Sequence, residues 1–422
     1  MASADKKASR VAAEGMVAMY IHAGSRLGVL VEVNCETDFV ARGDKFKELV
    51  QNIALQVAAC PEVKYVSPAD VDPEMLEKER AVQMKMEDIL AKPEAIRAKI
   101  VQGRLDKMVN EKALLMQPWI RDNSVTVGDY IKGVVAELGE KISVRRFQKY
   151  ILGEGLEKRT EDFAAEVAAQ TEALAAKAAA AKAAPAVEEV KKVEVEKKVI
   201  TVTVTAKQVK ELRDASGAGM MTCKQALTEC NGDVEEATIW LRKKGMASAD
   251  KKASRIATDG AIAAYIHSGS RLGVVCEVNC ETDFVAKGER FRTLASDMAM
   301  QIAACPDIEY VSPDDVDPAV VEKERAVQMR MEDILAKPEA IRAKIVQGRL
   351  DKMVNEKALL MQDYVRDNDK TVDTILKEAI AEIGEKISIR RFTKFNLGEG
   401  LTKKVDDFAA EVAAATGQVK SA

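Results

Sequence analysis

Residues 15–41 read Gly-Met-Val-Ala-Met-Tyr-Ile-His-Ala-Gly-Ser-Arg-Leu-Gly-Val-Leu-Val-Glu-Val-Asn-Cys-Glu-Thr-Asp-Phe-Val-Ala. Two apolar runs, 15–22 and 27–34, flank Ala23-Gly24-Ser25-Arg26 and predict a β-hairpin. The pattern returns at 260–286, and the offset of 245 residues holds on both sides of it without insertion. Met1–Arg10 recurs as Met246–Arg255, and Phe163–Ala169 as Phe408–Ala414. Over residues 1–169, 120 positions are identical and 49 differ, and the 32 residues Met86–Gln117 equal Met331–Gln362. So long a period marks a duplicated domain, not a solenoid, whose repeats run to about 20–50 residues.

Within each copy, Asp44–Ala59 has helical apolar spacing through Phe46, Leu49, Val50, Ile53 and Val57. Glu74–Leu90 and Pro93–Leu115 read as two more helices, Thr126–Leu138 as a short one, Ile142–Leu152 as a strand, and Glu161 onward as a last helix. Helices mixed with a small antiparallel sheet predict an α+β fold. The chain divides into a first core repeat at 1–170, a linker at 171–199, a three-helix module at 200–245 and a second core repeat at 246–417. The linker joins an Ala/Lys run, stopped by Pro185, to a Val/Glu/Lys stretch too polar to fold alone. It is expected to be cut by proteases near 183–198 and to leave two independently folded units. In the module, Thr205 is expected to cap a helix bearing Val209 and Leu212, and Thr222 a second bearing Cys223, Ala226 and Leu227. Asn231-Gly232-Asp233 then turns into a third with Ala237, Ile239, Trp240 and Leu241, closed by Gly245. Met1 aligns with the residue just after this module, so the chain is expected to begin partway through a longer unit.

Composition narrows the function. Of the 422 residues 47% are apolar and only 4% aromatic, so aliphatic side chains must fill the core. Lys plus Arg number 64 against 68 acids, a balance that argues against direct nucleic-acid binding. No stretch reaches the roughly 18–20 apolar residues of a membrane span, and the charged start is not a secretory signal. The seven cysteines form no C-x-x-C pair, which speaks against zinc and disulfides and for a reduced, soluble, intracellular protein. The two histidines, His22 and His267, are one position in two copies beside a turn, with no nucleophile placed to use them. Gly217-Ala-Gly219 lacks the third glycine of a dinucleotide fingerprint, and no phosphate-binding P-loop occurs. Cys276 and Cys280 share a strand face, but Val31 at the first copy's equivalent of Cys276 favours packing over metal. The expectation is a protein without enzymatic activity, metal or cofactor.

One segment stands apart. Asn34-Cys-Glu-Thr37-Asp38-Phe39-Val40-Ala41 follows the second hairpin strand and recurs as Asn279–Ala286. Thr37 or Asp38 can cap a short turn there and project Phe39 with little freedom, as suits a wedge into a partner's pocket. The same pattern suits a core phenylalanine that closes the hairpin, and the residues by themselves favour that commoner use.

Two stretches carry a resemblance. Val209-Lys-Glu-Leu-Arg213-Asp-Ala-Ser-Gly217-Ala-Gly219-Met220-Met221-Thr-Cys-Lys224-Gln-Ala-Leu and Gly273-Val-Val-Cys-Glu-Val-Asn279-Cys-Glu281-Thr282-Asp283-Phe284-Val285-Ala286 resemble the two signatures of the translation elongation factor Ts family. Residues 205–417 are similar to one complete short-form member, as in cyanobacteria and plastids, without the long coiled-coil insertion of some bacterial members. Residues 1–170 are similar to a second that lacks its N-terminal module, and the whole resembles plastid polyproteins carrying tandem factors. Departures are small: Ser216 stands where the family usually has Thr, and Thr222 where it usually has Asp.

The resemblance implies guanine-nucleotide exchange on elongation factor Tu, in its GDP-bound and nucleotide-free forms, within the plastid stroma or, alternatively, a bacterial cytoplasm. Thr37, Asp38, Phe39, Val40 and Thr282, Asp283, Phe284, Val285 match the segment that displaces the partner's Mg2+. Arg213, Met220 and Met221 match the ubiquitin-associated-like module that grips a helix of the partner's GTPase domain. Ribosome association, if any, would be indirect. The rival readings are a ribosome-associated protein and a ubiquitin-type adaptor, each without exchange activity.

Overall fold

The computed structural model describes residues 10–156, 205–216 and 220–401. The last helix expected from Glu161 and the linker at 171–199 lie outside the described residues.

The first copy is built on a three-stranded antiparallel sheet. β1 (Glu14–Ile21) and β2 (Leu27–Cys35) form the expected hairpin, with Glu14 opposite Cys35 and Ile21 opposite Gly28. After β2 come α1 (Asp38–Arg42), α2 (Asp44–Ala59), α3 (Pro73–Gln83), α4 (Glu87–Leu90) and α5 (Glu94–Lys112). A small hairpin, β3 (Pro118–Trp119) and β4 (Asp122–Thr126), leads into α6 (Val127–Leu138) and β5 (Ile142–Ile151). β5 pairs along the free edge of β2, with Leu27 opposite Ile151 and Cys35 opposite Ile142, giving the order β1-β2-β5. Between the copies lie α7 (Ala206–Ser216), α8 (Met220–Glu229) and α9 (Val234–Lys252). The second copy repeats the series as β6 (Asp259–Ile266), β7 (Leu272–Cys280), α10 (Asp283–Lys287), α11 (Glu289–Ala304), α12 (Pro318–Gln328), α13 (Glu332–Leu335), α14 (Glu339–Lys357), β8 (Asp363–Tyr364), β9 (Asp367–Thr371), α15 (Val372–Ile383) and β10 (Ile387–Asn396). No helix among the described residues is long and apolar enough to cross a membrane.

Side chains alternate across a strand, so β2 offers two faces. Val29, Val31, Val33 and Cys35 share one core with Phe46, Leu49, Val50, Ile53 and Val57 of α2. Leu30 points the other way, into a cluster with Val17, Tyr150, Leu152 and, from the second copy, Ile262, Val275, Phe395 and Leu397. β2 is buried on both faces, and its second face carries Glu32 and Asn34 beside Leu30.

This second cluster corrects the expectation of two independently folded repeats: the sheets of the two copies share a core. Residues 10–152, 259–376 and 386–401 accordingly make one compact unit. The junction is reciprocal. Val17 N–H donates to Ser270 O at 2.8 Å and Ile262 N–H to Ser25 O at 2.7 Å, so each hairpin turn bonds the middle of the other copy's first strand. Arg146 stacks 4.3 Å over Phe395 and Arg391 4.2 Å over Tyr150. Arg271 pairs with Glu14 at 2.7 Å and Arg26 with Asp259 at 3.3 Å.

The second unit holds 153–156, 205–216, 220–258 and 377–385. In it α7, α8 and α9 close on Val209, Leu212, Cys223, Ala226, Leu227, Cys230, Ala237 and Leu241. Thr205 caps α7 as expected, its hydroxyl accepting from Gln208 N–H at 3.4 Å while the Gln208 amide oxygen takes Thr205 N–H at 3.1 Å. Two expectations fail. Thr222 stands inside α8, two residues past its first described residue, and not at its N-cap. Gly245 does not end the third helix, which runs on to Lys252, so residues 246–252, the opening of the second repeat, are helical. The glycine answers to space instead, for a Cβ there would come within 2.8 Å of Ala381 Cβ.

Candidate functional site: the exposed aromatic turns

β2 ends at Cys35, and the chain turns at once into α1. Thr37 is its N-cap, in extended conformation, with the hydroxyl accepting from Val40 N–H at 3.3 Å. The cap is therefore Thr37, and Asp38 belongs to the first turn, where it pairs with Arg42 at 3.0 Å. The second copy is built alike: Thr282 caps α10 by accepting from Val285 N–H at 3.3 Å, and Lys287, 2.7 Å from Asp283, holds that carboxyl below the usual range.

Packing decides which side chain of the turn is free. Ala41 is buried and Val40 half-buried against the α2 core, which anchors the C-terminal side of α1. Phe39, one residue earlier, is 84% exposed, and Phe284 in the second copy is also 84% exposed. The reading of Phe39 as a core residue is thereby overturned. Each copy displays a bare phenyl ring on a turn pinned at both ends.

The cap has a further support that the residue pattern did not reveal. Thr37 N–H donates to Glu140 Oε2 at 3.0 Å, and its hydroxyl donates to Glu140 Oε1 at 2.6 Å. In return Glu36 Oε1 accepts from Lys141 N–H at 2.5 Å, and Arg10 lies 3.2 Å from the same carboxylate. Lys386 N–H donates to Glu281 at 2.6 Å in the second copy. Internal repetition could not single out these residues, since most of their neighbours are repeated too.

In the three-helix unit, Met220 is 57% and Met221 80% exposed at the start of α8, and Arg213 is exposed in the last turn of α7. Residues 217–219 between them lie outside the described residues. Two neighbouring exposed methionines offer an adaptable apolar contact. His22 and His267 stand exposed in the hairpin turns, each Nδ1 facing a tyrosine hydroxyl at 3.2 and 3.4 Å. Burial pushes the Cys35 and Cys276 thiols up to about 12, as befits packing residues. Among the described residues no group of three or more His, Cys, Asp or Glu could hold a metal ion.

Fold and site together define a class: a duplicated α+β scaffold that presents one rigid aromatic turn per copy. The chain belongs to the elongation factor Ts family, whose model matches residues 5–154 and 193–399. It is 53% identical over 399 residues to the chloroplastic polyprotein of elongation factor Ts from Oryza sativa subsp. japonica, which covers 94% of this chain and 35% of that protein. It is 56% identical over 210 residues to elongation factor Ts of Prochlorococcus marinus strain MIT 9312, covering 50% of this chain and 96% of the relative. With that of Picosynechococcus sp. strain PCC 7002 the identity is 55% over 215 residues, 51% of this chain and 99% of the relative. The chain thus spans about a third of the rice polyproteins and about twice the length that aligns with the bacterial factors.

Proposed function

We propose that the chain is a tandem guanine-nucleotide exchange factor for elongation factor Tu in translation elongation, part of a plastid polyprotein acting in the stroma. The observation that carries this is the pair of exposed phenyl rings, Phe39 and Phe284, on capped turns whose remaining apolar residues are anchored in the core.

The chemistry asked of the protein is displacement, not bond-making. A magnesium ion bridging the β-phosphate holds GDP in a GTPase. A stiff wedge that shifts the ion's ligands by about an ångström weakens that hold, and the nucleotide leaves. Thr37 and Thr282 keep the turn closed, Asp38 and Asp283 sit beside the ring, and Val40 and Val285 tie it to the sheet. Linkage sets the direction: a factor that binds the nucleotide-free partner best must weaken nucleotide by the same factor. Arg213, Met220 and Met221 of the three-helix unit, in this reading of ubiquitin-associated type, would grip a helix of the GTPase domain.

The test is the full chain with Phe39→Ala and Phe284→Ala together. Both rings are exposed, so folding should be unchanged, while acceleration of GDP release from elongation factor Tu should fall about 30-fold, as for a hot spot of ~2 kcal/mol. Exchange at the normal rate would remove the wedge from the mechanism.

A further inference from the structure

We propose that Glu140 is a positioning residue for the aromatic wedge: it fixes the N-cap of the turn and so sets where the Phe39 ring points. The proposal rests on the exchange reading above. It begins from a difficulty, since α1 has five residues and helices shorter than about 12–15 residues are marginal on their own. Val40 and Ala41 hold its far side, while on the side from which Phe39 departs α1 itself offers the solvent-exposed Asp38–Arg42 pair, a weak restraint. Glu140 holds that side. Its two oxygens take the Thr37 N–H and hydroxyl at 3.0 and 2.6 Å, a two-point grip that removes rotation about the cap. The Thr37 hydroxyl still accepts from Val40 N–H, so one threonine links Glu140 to the turn's own hydrogen bonding.

Glu140 is itself held. It follows Gly139, the left-handed C-cap of α6, whose N–H donates to Val135 O at 3.0 Å. It precedes Lys141, whose N–H is bound by Glu36 and whose Nζ reaches Arg10 O at 2.7 Å. Residues 36–37 and 140–141 therefore clasp each other, each carboxylate taking an amide of the other segment. The bonds to Thr37 are exposed, so water can replace them when Glu140 is removed. Removal should cost orientation much more than folding. The second copy carries Glu281, Thr282, Glu385 and Lys386 at the matching positions.

The experiment uses the full chain with Glu140→Ala and Glu385→Ala together, so that one copy cannot mask the other. Glu140→Gln with Glu385→Gln and the core variant Val57→Ala serve as comparisons. Amide hydrogen exchange at Val40 and Ala41 should quicken about tenfold in the alanine pair, with Val31 and Ile53 unchanged. GDP release at saturating chain should slow about tenfold or more while the half-saturating concentration moves less than about twofold. Gln, which keeps one acceptor oxygen, should restore part of the rate. Unchanged amide exchange at Val40 and Ala41 would overturn the proposal, as would a loss of GDP release no larger than that of Val57→Ala. A wild-type chain that fails to release GDP would instead overturn the exchange reading, and the amide measurement would still decide the role of Glu140.

Discussion

Glu32 has no accessible surface, yet it is charged. Burial alone pushes its carboxyl up; the Gly398 N–H at 2.9 Å, Arg145 at 2.9 Å and Arg146 at 2.6 Å outweigh that and hold it below the usual glutamate value. Gly398 and Arg146's stacking partner Phe395 come from the other copy, so this carboxylate sits at the junction of the repeats. Glu32→Ala should destabilise the fold by about 3 kcal/mol at pH 7, the low end for breaking a buried ion pair, because both guanidinium groups keep some water. A depressed pKa contributes stability that is full above the unfolded value and lost as pH falls through the folded one. The gap between wild type and Glu32→Gln in denaturant unfolding should hence hold from pH 7 to near 4.5 and close below it; a gap that widens in acid would contradict this. Phe39 teaches a different lesson at the same size. Thr, Asp, Phe and Val in a row leave open whether Phe or Val enters the core, and only the packing of Val40 and Ala41 against α2 decides it.

The long, strongly patterned elements were legible. The hairpin, α2, α6 and β5 follow from period-2 and helical spacing, with Thr126 accepting from Asp129 N–H at 3.1 Å as the cap of α6. The single helix expected over Glu74–Leu90 is in fact α3 and α4, separated by a tight turn at Met84–Met86. No glycine or proline marks that break. It exists because Ile89 must swing round to bury itself against Val101 and Leu105 of α5, a demand made by another element. The helix expected over Pro93–Leu115 likewise stops at Lys112, where Leu114 N–H leaves to bond Tyr65 O at 2.9 Å. β3 and β4 went unread, being short and mostly polar. Glycine supplies the test of element contacts. A Cβ on Gly28 would lie 2.5 Å from Ile262 Cγ2, and one on Gly273 2.5 Å from Val17 Cγ1, both on stiff β-branched side chains of the other copy. Gly28→Ala and Gly273→Ala should each cost about 1–3 kcal/mol in thermal unfolding. A neutral result would mean the strands do not cross this closely.

Two copies of one sequence can stand apart or pack, and the chain packs them through Val17, Leu30, Tyr150 and Leu152 against Ile262, Val275, Phe395 and Leu397. Each of these residues occupies a position that matches one in the other copy, so the junction is a self-complementary face used within a single chain. A specific protease site placed in 171–199 and then cut should therefore leave the two fragments eluting together in size exclusion, with one cooperative unfolding step. Separate elution would restore the picture of independent repeats. From its residues alone the chain is determined to be a duplication, α+β in class, with a hairpin, an amphipathic helix and a repeated Thr-Asp-Phe-Val turn, because those features depend on spacing within one stretch. The exposure of Phe39, the clasp of Glu140 on Thr37 and the shared core of the two sheets belong to the tertiary structure. The clasp joins residues 103 positions apart and the shared core residues as far apart as Val17 and Leu397, and no local pattern of alternation or capping can say which distant surface a strand's second face will meet.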